Sequence, residues 1–441
     1  MKTGLMLEKL FHIKARGSNI RTEFIAGLTT FVTISYIIFV IPNMLFDAGI
    51  PKEAAIASTI YATIVATILM GLVANYPVAV APGLGINAFF AYYVVGHLGL
   101  PWQTALGAVF ISGMIFLLMT FGGVLQAIIR AVPQTLKTSI GVGIGFFIAF
   151  IGMKTAGIVV YDPATFVTLG DITSGPALLA TLGVILAGAL MAMRVQGAML
   201  ISIFVLTVAG MIMGIVAPPQ GVDDIISLEL PSLSGTFMAL DIAAAIEYGL
   251  FSIIFTFTVV ELFDNMGTLI GLTRKAKLMD ENGEVKDLNR ALTADAVGAV
   301  AGAVLGTTTV TAYIESATGI AEGGKTGLAA VVIAALFVVA LFFAPLIGLV
   351  PAYATAPALI LVGALMIMEV HSIDFNDLTE GIPAFLTIVM MPLTYSIANG
   401  FAFGFISYAF LKLLTGRRKE VHFIIWIVAA AFLANFYMRL H

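Results

Sequence analysis

The stretch GTTTVTAYIESATGIAEGGKTG, residues 306–327, sets a glutamate, Glu315, among threonines and glycines between two long apolar runs. Its β-branched run, Thr307 to Thr311, favours extended backbone ahead of a half-helix. Such a segment is too short and too polar to be an ordinary membrane span, which takes roughly 20 apolar residues. Extended backbone exposes N–H and C=O groups, tolerated at membrane depth only inside protein or along a wet cavity. The stretch therefore reads as a broken helix able to hold a polar ligand. Residues 319–326, GIAEGGKT, also match the phosphate-binding pattern G-x-x-x-x-G-K-[ST]. That loop belongs after a buried strand in a soluble α/β domain, whereas Glu322 sits inside this one and 44 glycines generate chance matches. Nucleotide hydrolysis is set aside, and Lys325 is placed at the membrane boundary.

The surroundings support a membrane reading. Of 441 residues, 60% are hydrophobic and 10% charged, against roughly 45–50% and 25% in soluble domains. Candidate spans fall near 24–45, 54–75, 79–97, 103–125, 135–156, 176–193 and 197–217. After a polar connector, others follow near 247–271, 289–305, 308–322, 327–349, 356–370, 383–397 and 398–414. The expected fold is an all-α polytopic membrane protein of 14 spans. Its parts are a cytoplasmic N-terminal segment (1–23), a first repeat (24–217), a connector (218–246), a second repeat (247–414), and a basic loop with a hydrophobic tail (415–441). An odd number of helices per half makes the halves antiparallel, the inverted-repeat arrangement of many secondary transporters.

Basic residues enrich cytoplasmic loops. Lys9, Lys14, Arg16 and Arg21 precede span 1; Arg274, Lys275, Lys277, Lys286 and Arg290 follow span 8; Arg417, Arg418 and Lys419 follow span 14. All three clusters then face one side. A competing count makes 383–414 one long helix and turns the tail into span 14. Gly298, Gly302 and Gly306 recur at four-residue spacing, as expected of a close-packing face. A net charge of -4 gives no support to nucleic-acid binding. Zero cysteines exclude disulfides and thiolate sites, and the five histidines lack ligand spacing, so neither a metal nor a cofactor is expected.

The symmetry partner of the opening stretch is PVAVAPGLGINAFFAYYVV, residues 77–95, where Pro82, Gly83 and Gly85 interrupt the helix and Asn87 follows. Paired interrupted segments point to a midplane binding site. Span 8 carries Glu261, Asp264 and Thr268 at spacings that let them share a helical face. A carboxylate at the bilayer centre costs about 2.5–3.5 kcal/mol on insertion scales, so these groups imply a function or a partner. Asp264 and Glu315 read as ligand-facing; for Glu261 structural and functional roles stay open. Asp295, Glu247 and Lys154 lie nearer span ends and read as snorkelling or structural.

The motifs GLGINAFF (83–90), ELFDNMGTLIG (261–271), the opening stretch and IDFNDLTEGIPAFLTI (373–388) together resemble the AzgA-like purine permeases of the nucleobase:cation symporter-2 group. The resemblance implies two inverted seven-helix repeats, a core domain of helices 1–4 and 8–11, a gate domain of helices 5–7 and 12–14, and a homodimer in the cell membrane. It also implies base-facing roles for Asp264, Glu315 and Asn87, and a role for Asp377 in the FND element. Thr268 stands where uracil-type carriers have histidine, which moves the expected substrate toward hypoxanthine, guanine or adenine. A carboxylate accepts side by side from the N–H donors on a purine edge, and Phe263 and Tyr313, with Phe89 and Phe90, are candidate covers for the ring faces. Proton coupling is expected through Asp264, Glu315 or Glu261, with sodium left open. An anion carrier of the same fold would want a basic centre, and a membrane-embedded enzyme a nucleophile and base; the residues here offer neither.

Overall fold

A computed structural model of the chain describes residues 2–121, 125, 128, 131–247, 251–278 and 287–440. Lys286, residues 122–124 of the fourth candidate span and residues 248–250 of the eighth lie outside the described residues. An amphipathic helix, α1 (Lys2–Phe11), precedes the bundle, with Phe11 and Ile13 buried against Leu328. The first apolar run is two helices, α2 (Ile20–Ile34) and α3 (Ile37–Asp47), parted by a turn at Ser35 and Tyr36. Helix α4 (Lys52–Leu69) widens at its end and stops at Asn75, whose left-handed φ of 57° breaks the helix. Then come β1 (Val80–Pro82), α5 (Leu84–Ala88) continued by a wide-turned segment to His97, and α6 (Trp102–Thr120). Helix α7 (Gln134–Thr155), the exposed hairpin β2 (Val159–Asp162) and β3 (Phe166–Leu169), α8 (Gly175–Ala192) and α9 (Ala198–Ile212) complete the first half.

The second half opens with a short α10 (Ile242–Glu247), then α11 (Phe251–Lys275) and α12 (Leu288–Leu305). Strand β4 (Val310–Ala312) and the short α13 (Ser316–Ala321) form its broken segment. They are followed by α14 (Gly327–Leu341), α15 (Ala344–Leu349) and α16 (Ala352–Ile367). Helices α17 (Leu378–Leu393) and α18 (Ile397–Leu414) then pack on each other as a hairpin. Tyr395, with φ 55°, turns the chain between them, so residues 378–414 are two helices, as the fourteen-span count requires. The tail helix α19 (Phe423–Leu440) lies along α18, and its Phe432 meets Phe255 edge-on. Among the described residues, nine helices are long and apolar enough to cross a membrane unaided; shorter apolar helices and the broken segments supply the rest.

Two sets of contacts dominate. Helix α7 packs on α16 and α17, and α8 on α16 and α9; separately, α14 packs on α2 and α4, and α12 on α4 and α6. Close crossings rest on glycine. A Cβ on Gly363 would strike the backbone oxygen of Gly145 where α7 crosses α16, and one on Gly327 would strike Gly71 where α14 starts beside the end of α4. The glycines of α12 serve a different neighbour from the expected helix alone: Gly298 abuts Ala66 and Val310, and Gly302 abuts the Thr308 carbonyl. They make room for unwound backbone. At one end of the bundle the buried Lys412 Nζ lies 2.7 Å from Glu380 and 2.8 Å from Glu420, while Arg417 reaches Asp377 at 2.6 Å. Hydrogen bonds from the Thr379 hydroxyl and Arg417 hold the Asp377 carboxyl well below the usual carboxylate range.

Candidate functional site

The two interrupted segments meet. Strands β1 and β4 pair antiparallel with Val80 opposite Ala312, Ala81 opposite Thr311 and Pro82 opposite Val310. Pro82 has no N–H to offer and Gly83 ends the strand, so the ladder is short, and its flanks close with Gly83 N–H to the Thr309 carbonyl (3.2 Å) and Tyr313 N–H to the Ala79 carbonyl (3.0 Å). Side chains satisfy the outer backbone groups, as burial in lipid demands. The Thr67 hydroxyl both donates to the Val80 carbonyl (2.9 Å) and accepts from its N–H (3.0 Å), and Ser316 Oγ accepts from Ala79 N–H (3.0 Å). Asn265 Oδ1 accepts from Ala312 N–H (2.8 Å), and the Tyr313 hydroxyl donates to the Pro82 carbonyl (2.6 Å).

Glu315 stands at the start of α13, immediately after the strand, and accepts from the Tyr36 hydroxyl at 2.7 Å. Tyr36 is fully buried at the turn between α2 and α3, so a third break converges on the same point. Asp264, on α11, lies beside Thr311 and near Glu315. Both acids are half-buried, and Ile314 next to Glu315 is 56% exposed, so the chain beside Glu315 is open on one side. Asn87 is buried; its Nδ2 caps the Gly83 carbonyl at 2.8 Å while its Oδ1 has no partner. Thr268, one turn beyond Asp264, is half-buried.

The aromatic candidates divide. Tyr313 is held against both unwound strands by the bonds above. Phe89 packs edge-on against Phe257 and stacks on Tyr93, and Phe90 is fully buried in the core. Phe263 lines an apolar cavity of about 500 Å³ between α6, α11, α18 and α19, whose lining includes Ile254, Leu262 and Phe405. That cavity is apart from the acids and offers a polar ligand little beyond Thr258.

Glu261 and Asp295 are fully buried, and all four of their carboxylate oxygens lack a hydrogen-bond partner. Asp295, read from sequence as snorkelling or structural nearer a span end, does not snorkel: it lies two turns into α12 on a face packed against neighbouring helices and is fully buried. Glu247 does end its helix exposed, and Lys154 lies over the Tyr395 ring at 4.8 Å. Asp377 caps α17 and belongs to the charged network at the bundle end. Sequence reasoning missed Tyr36, Asn265 and Thr311. The Ser-Tyr pair inside the first apolar run was the available signal for Tyr36.

The GIAEGGKT loop does bind an anion, an internal one. Glu23, fully buried on α2, accepts from the backbone N–H groups of Lys325 (3.0 Å) and Thr326 (3.2 Å). The start of α14 is thereby occupied by a carboxylate where a phosphate would sit. Among the described residues, the Lys325 ammonium reaches the Gly17 carbonyl alone, at 3.4 Å. Lys325→Ala is therefore expected to leave transport within about twofold of the unmodified protein, since a surface charge of this kind contributes little; an uptake assay at matched expression checks it.

The profile described as "Permease family" matches residues 21–403. The chain belongs to this permease family. It is a multi-pass membrane transporter, not an enzyme. The permease has similar relatives along its whole length: adenine permease AdeQ of Escherichia coli K12 is 43% identical over 426 residues, 97% of this chain and 95% of that one. Guanine/hypoxanthine permease PbuG of Bacillus subtilis is 42% identical over 441 residues, 98% and 99% of the two chains. Among solved structures, the transmembrane domain of the cyanobacterial bicarbonate transporter BicA aligns with a TM-score of 0.63 at 15% identity, covering 86% of the permease and 97% of that chain. The fold is shared at a sequence distance that carries nothing about substrate.

Proposed function

We propose that this permease imports purine nucleobases, hypoxanthine, guanine or adenine, by proton symport through alternating access. Relatives named for adenine and for guanine and hypoxanthine support the substrate class. The observation that carries the reading is the pair of half-buried carboxylates, Asp264 and Glu315, brought near one another beside an antiparallel pair of unwound strands. A purine presents ring N–H and amino donors along its edges, and carboxylates accept these with charge-assisted bonds roughly twice as strong as neutral ones. Asn87 Oδ1 adds a further acceptor, Tyr313 a rigid wall, and Thr268 a hydroxyl near Asp264, while Phe263 is left out of the base site because it lines the separate apolar cavity.

The two packing sets serve alternating access in this proposal, α2–α6 with α11–α14 as a core that carries the base and α7–α9 with α16–α18 as a gate; their separate packing supports it. In this reading the N-terminus is cytoplasmic, the protein sits in the cell membrane as a homodimer, and protons enter with the base. The bicarbonate transporter of this fold is a poor functional guide, because two neighbouring acids beside the strand pair would repel a small anion. Competition of labelled hypoxanthine uptake by unlabelled purines and pyrimidines tests the proposal: purines compete and uracil does not, and the reverse order contradicts it. Tyr36→Phe removes a bond worth about 1 kcal/mol, so its expected effect is a KM for hypoxanthine raised roughly fivefold with stability retained.

A further inference from the structure

We propose that Tyr92 with Asp47 on the core set, and Tyr395 with Phe147, Phe150 and Lys154 on the gate set, form the seal that shuts the base site off from the outer side. This rests on the proposed purine transport by alternating access and names residues that gate it. All six share one end of the bundle. Asp47 closes α3, whose apolar run begins at Ile20 beside the basic N-terminal segment, and Lys154 lies one residue from the end of α7. Tyr395 stands at the end of α18 away from Lys412. The cluster therefore lies opposite the basic residues, on the outer side in the orientation proposed above.

It also stands outward of the base site on the same elements. On the core set, Tyr92 follows Asn87 by five residues along one broken segment. On the gate set, Ile144 of α7 presses on that segment where a Cβ on Gly85 would strike it, so the two sets touch there. From Ile144 the same helix carries Phe147, Phe150 and Lys154 outward over about 15 Å, at 1.5 Å per residue. Four groups then close on one ring. Tyr395 meets Tyr92 edge-on at 6.3 Å between centroids, Phe147 at 5.5 Å and Phe150 at 5.9 Å, and the Lys154 ammonium lies over it at 4.8 Å. Burial falls toward the rim: Phe147 is fully buried, Phe150, Tyr92 and Tyr395 are half-buried, and Asp47 and Lys154 are exposed.

The layer is built to part. Contacts within each set hold the rings in place: the Tyr92 hydroxyl donates to Asp47 Oδ2 at 2.9 Å, and Tyr395 is fixed by the turn between α17 and α18. Between the sets stand only ring edges, Thr155 beside Tyr92, and the charges of Lys154 and Asp47 acting across the line. Among the described residues no ion pair joins the two sets. Aromatic edges and exposed charges each contribute little, so the sets separate here without breaking a strand ladder or a buried ion pair. Tyr395 carries a second sign. Its left-handed φ of 55° is rare for an aromatic residue, and its buried hydroxyl has no partner. Strain of this kind gathers at clamps and switch regions. Withdrawal of Tyr395 from Tyr92 hydrates that hydroxyl and clears the way to Asn87.

The test uses the full chain, which has no cysteine of its own. Two pairs are made, Tyr92→Cys with Tyr395→Cys and, at the exposed rim, Asp47→Cys with Lys154→Cys. Each is treated from outside with a membrane-impermeant, reducible bifunctional thiosulfonate. Labelled hypoxanthine uptake is expected to fall at least tenfold in both pairs, to return with reductant, and to change less than threefold in the four single variants. Equilibrium binding to the joined protein in detergent stays within about threefold, because the base still enters from the other side. Uptake at the untreated rate in pairs that mass spectrometry shows to be joined overturns the inference, and so does failure of the pairs to join. Loss of binding together with uptake also overturns it, placing the cluster in the base site. Should the tyrosine pair not fold, the rim pair decides by the same readings. If the unmodified protein binds and moves no purine, the proposed function fails instead.

Discussion

Glu315→Gln is expected to lower hypoxanthine uptake, as kcat/KM, by on the order of 100-fold. Charge-assisted hydrogen bonds contribute about 1.5–3 kcal/mol each, and glutamine replaces a pair of acceptor oxygens by one acceptor and one donor. The new amide N–H₂ would confront the base's own N–H groups, so the loss of two such bonds, about 3 kcal/mol, corresponds to two powers of ten. The protein itself should survive, because the glutamine oxygen still accepts from the Tyr36 hydroxyl that now meets Glu315 at 2.7 Å. The check is initial-rate uptake at matched surface expression, with thermal unfolding measured on the same preparations. Uptake within threefold of the unmodified protein would remove Glu315 from the base site.

Glu23→Ala is expected to have the largest effect on stability. The buried carboxylate accepts from the N–H groups of Lys325 and Thr326 at the start of α14. Each buried donor left without a partner costs about 1–3 kcal/mol, so the substitution costs roughly 2–6 kcal/mol, a large share of ordinary folding stability. The neighbouring bonds, Asn75 Oδ1 from Gly327 N–H at 2.7 Å and Arg16 to the Lys325 carbonyl at 3.0 Å, anchor the same loop but cannot reach the two orphaned donors without moving it. Glu23→Gln keeps an acceptor and is expected to lose much less. Fluorescence-detected thermal unfolding distinguishes them: a marked drop for alanine with a small one for glutamine is the expected order, and equal melting of alanine and unmodified protein would show that the loop is held otherwise.

The elements were legible where hydropathy alone decides them. Most apolar runs became single helices, 24–45 and 327–349 became two helices each, and the two runs broken at Pro82–Gly85 and Thr307–Thr311 each hold a short strand before a short helix, because proline and β-branched residues resist the helix that their neighbours adopt. Pairing between strands 230 positions apart, Val80 with Ala312 and Pro82 with Val310, left no local mark in the sequence. The partners of Tyr36 and Asn265 were illegible for the same reason, since they lie on elements brought close only by the fold; a polar pair in an apolar run marked Tyr36 but not what it binds. The burial of Asp295 was illegible because the expected span, 289–305, matched α12 almost residue for residue but did not say which face of the helix meets its neighbours. The loop GIAEGGKT was separated correctly from nucleotide chemistry, but nothing local indicated that Glu23 fills it.

The most direct measurement of the base site is an experimental structure of the permease with hypoxanthine bound. The account places the purine on the strand pair, within hydrogen-bond distance of both Asp264 and Glu315. Density for the base in the apolar cavity beside Phe263, or at any position touching neither carboxylate, would contradict it.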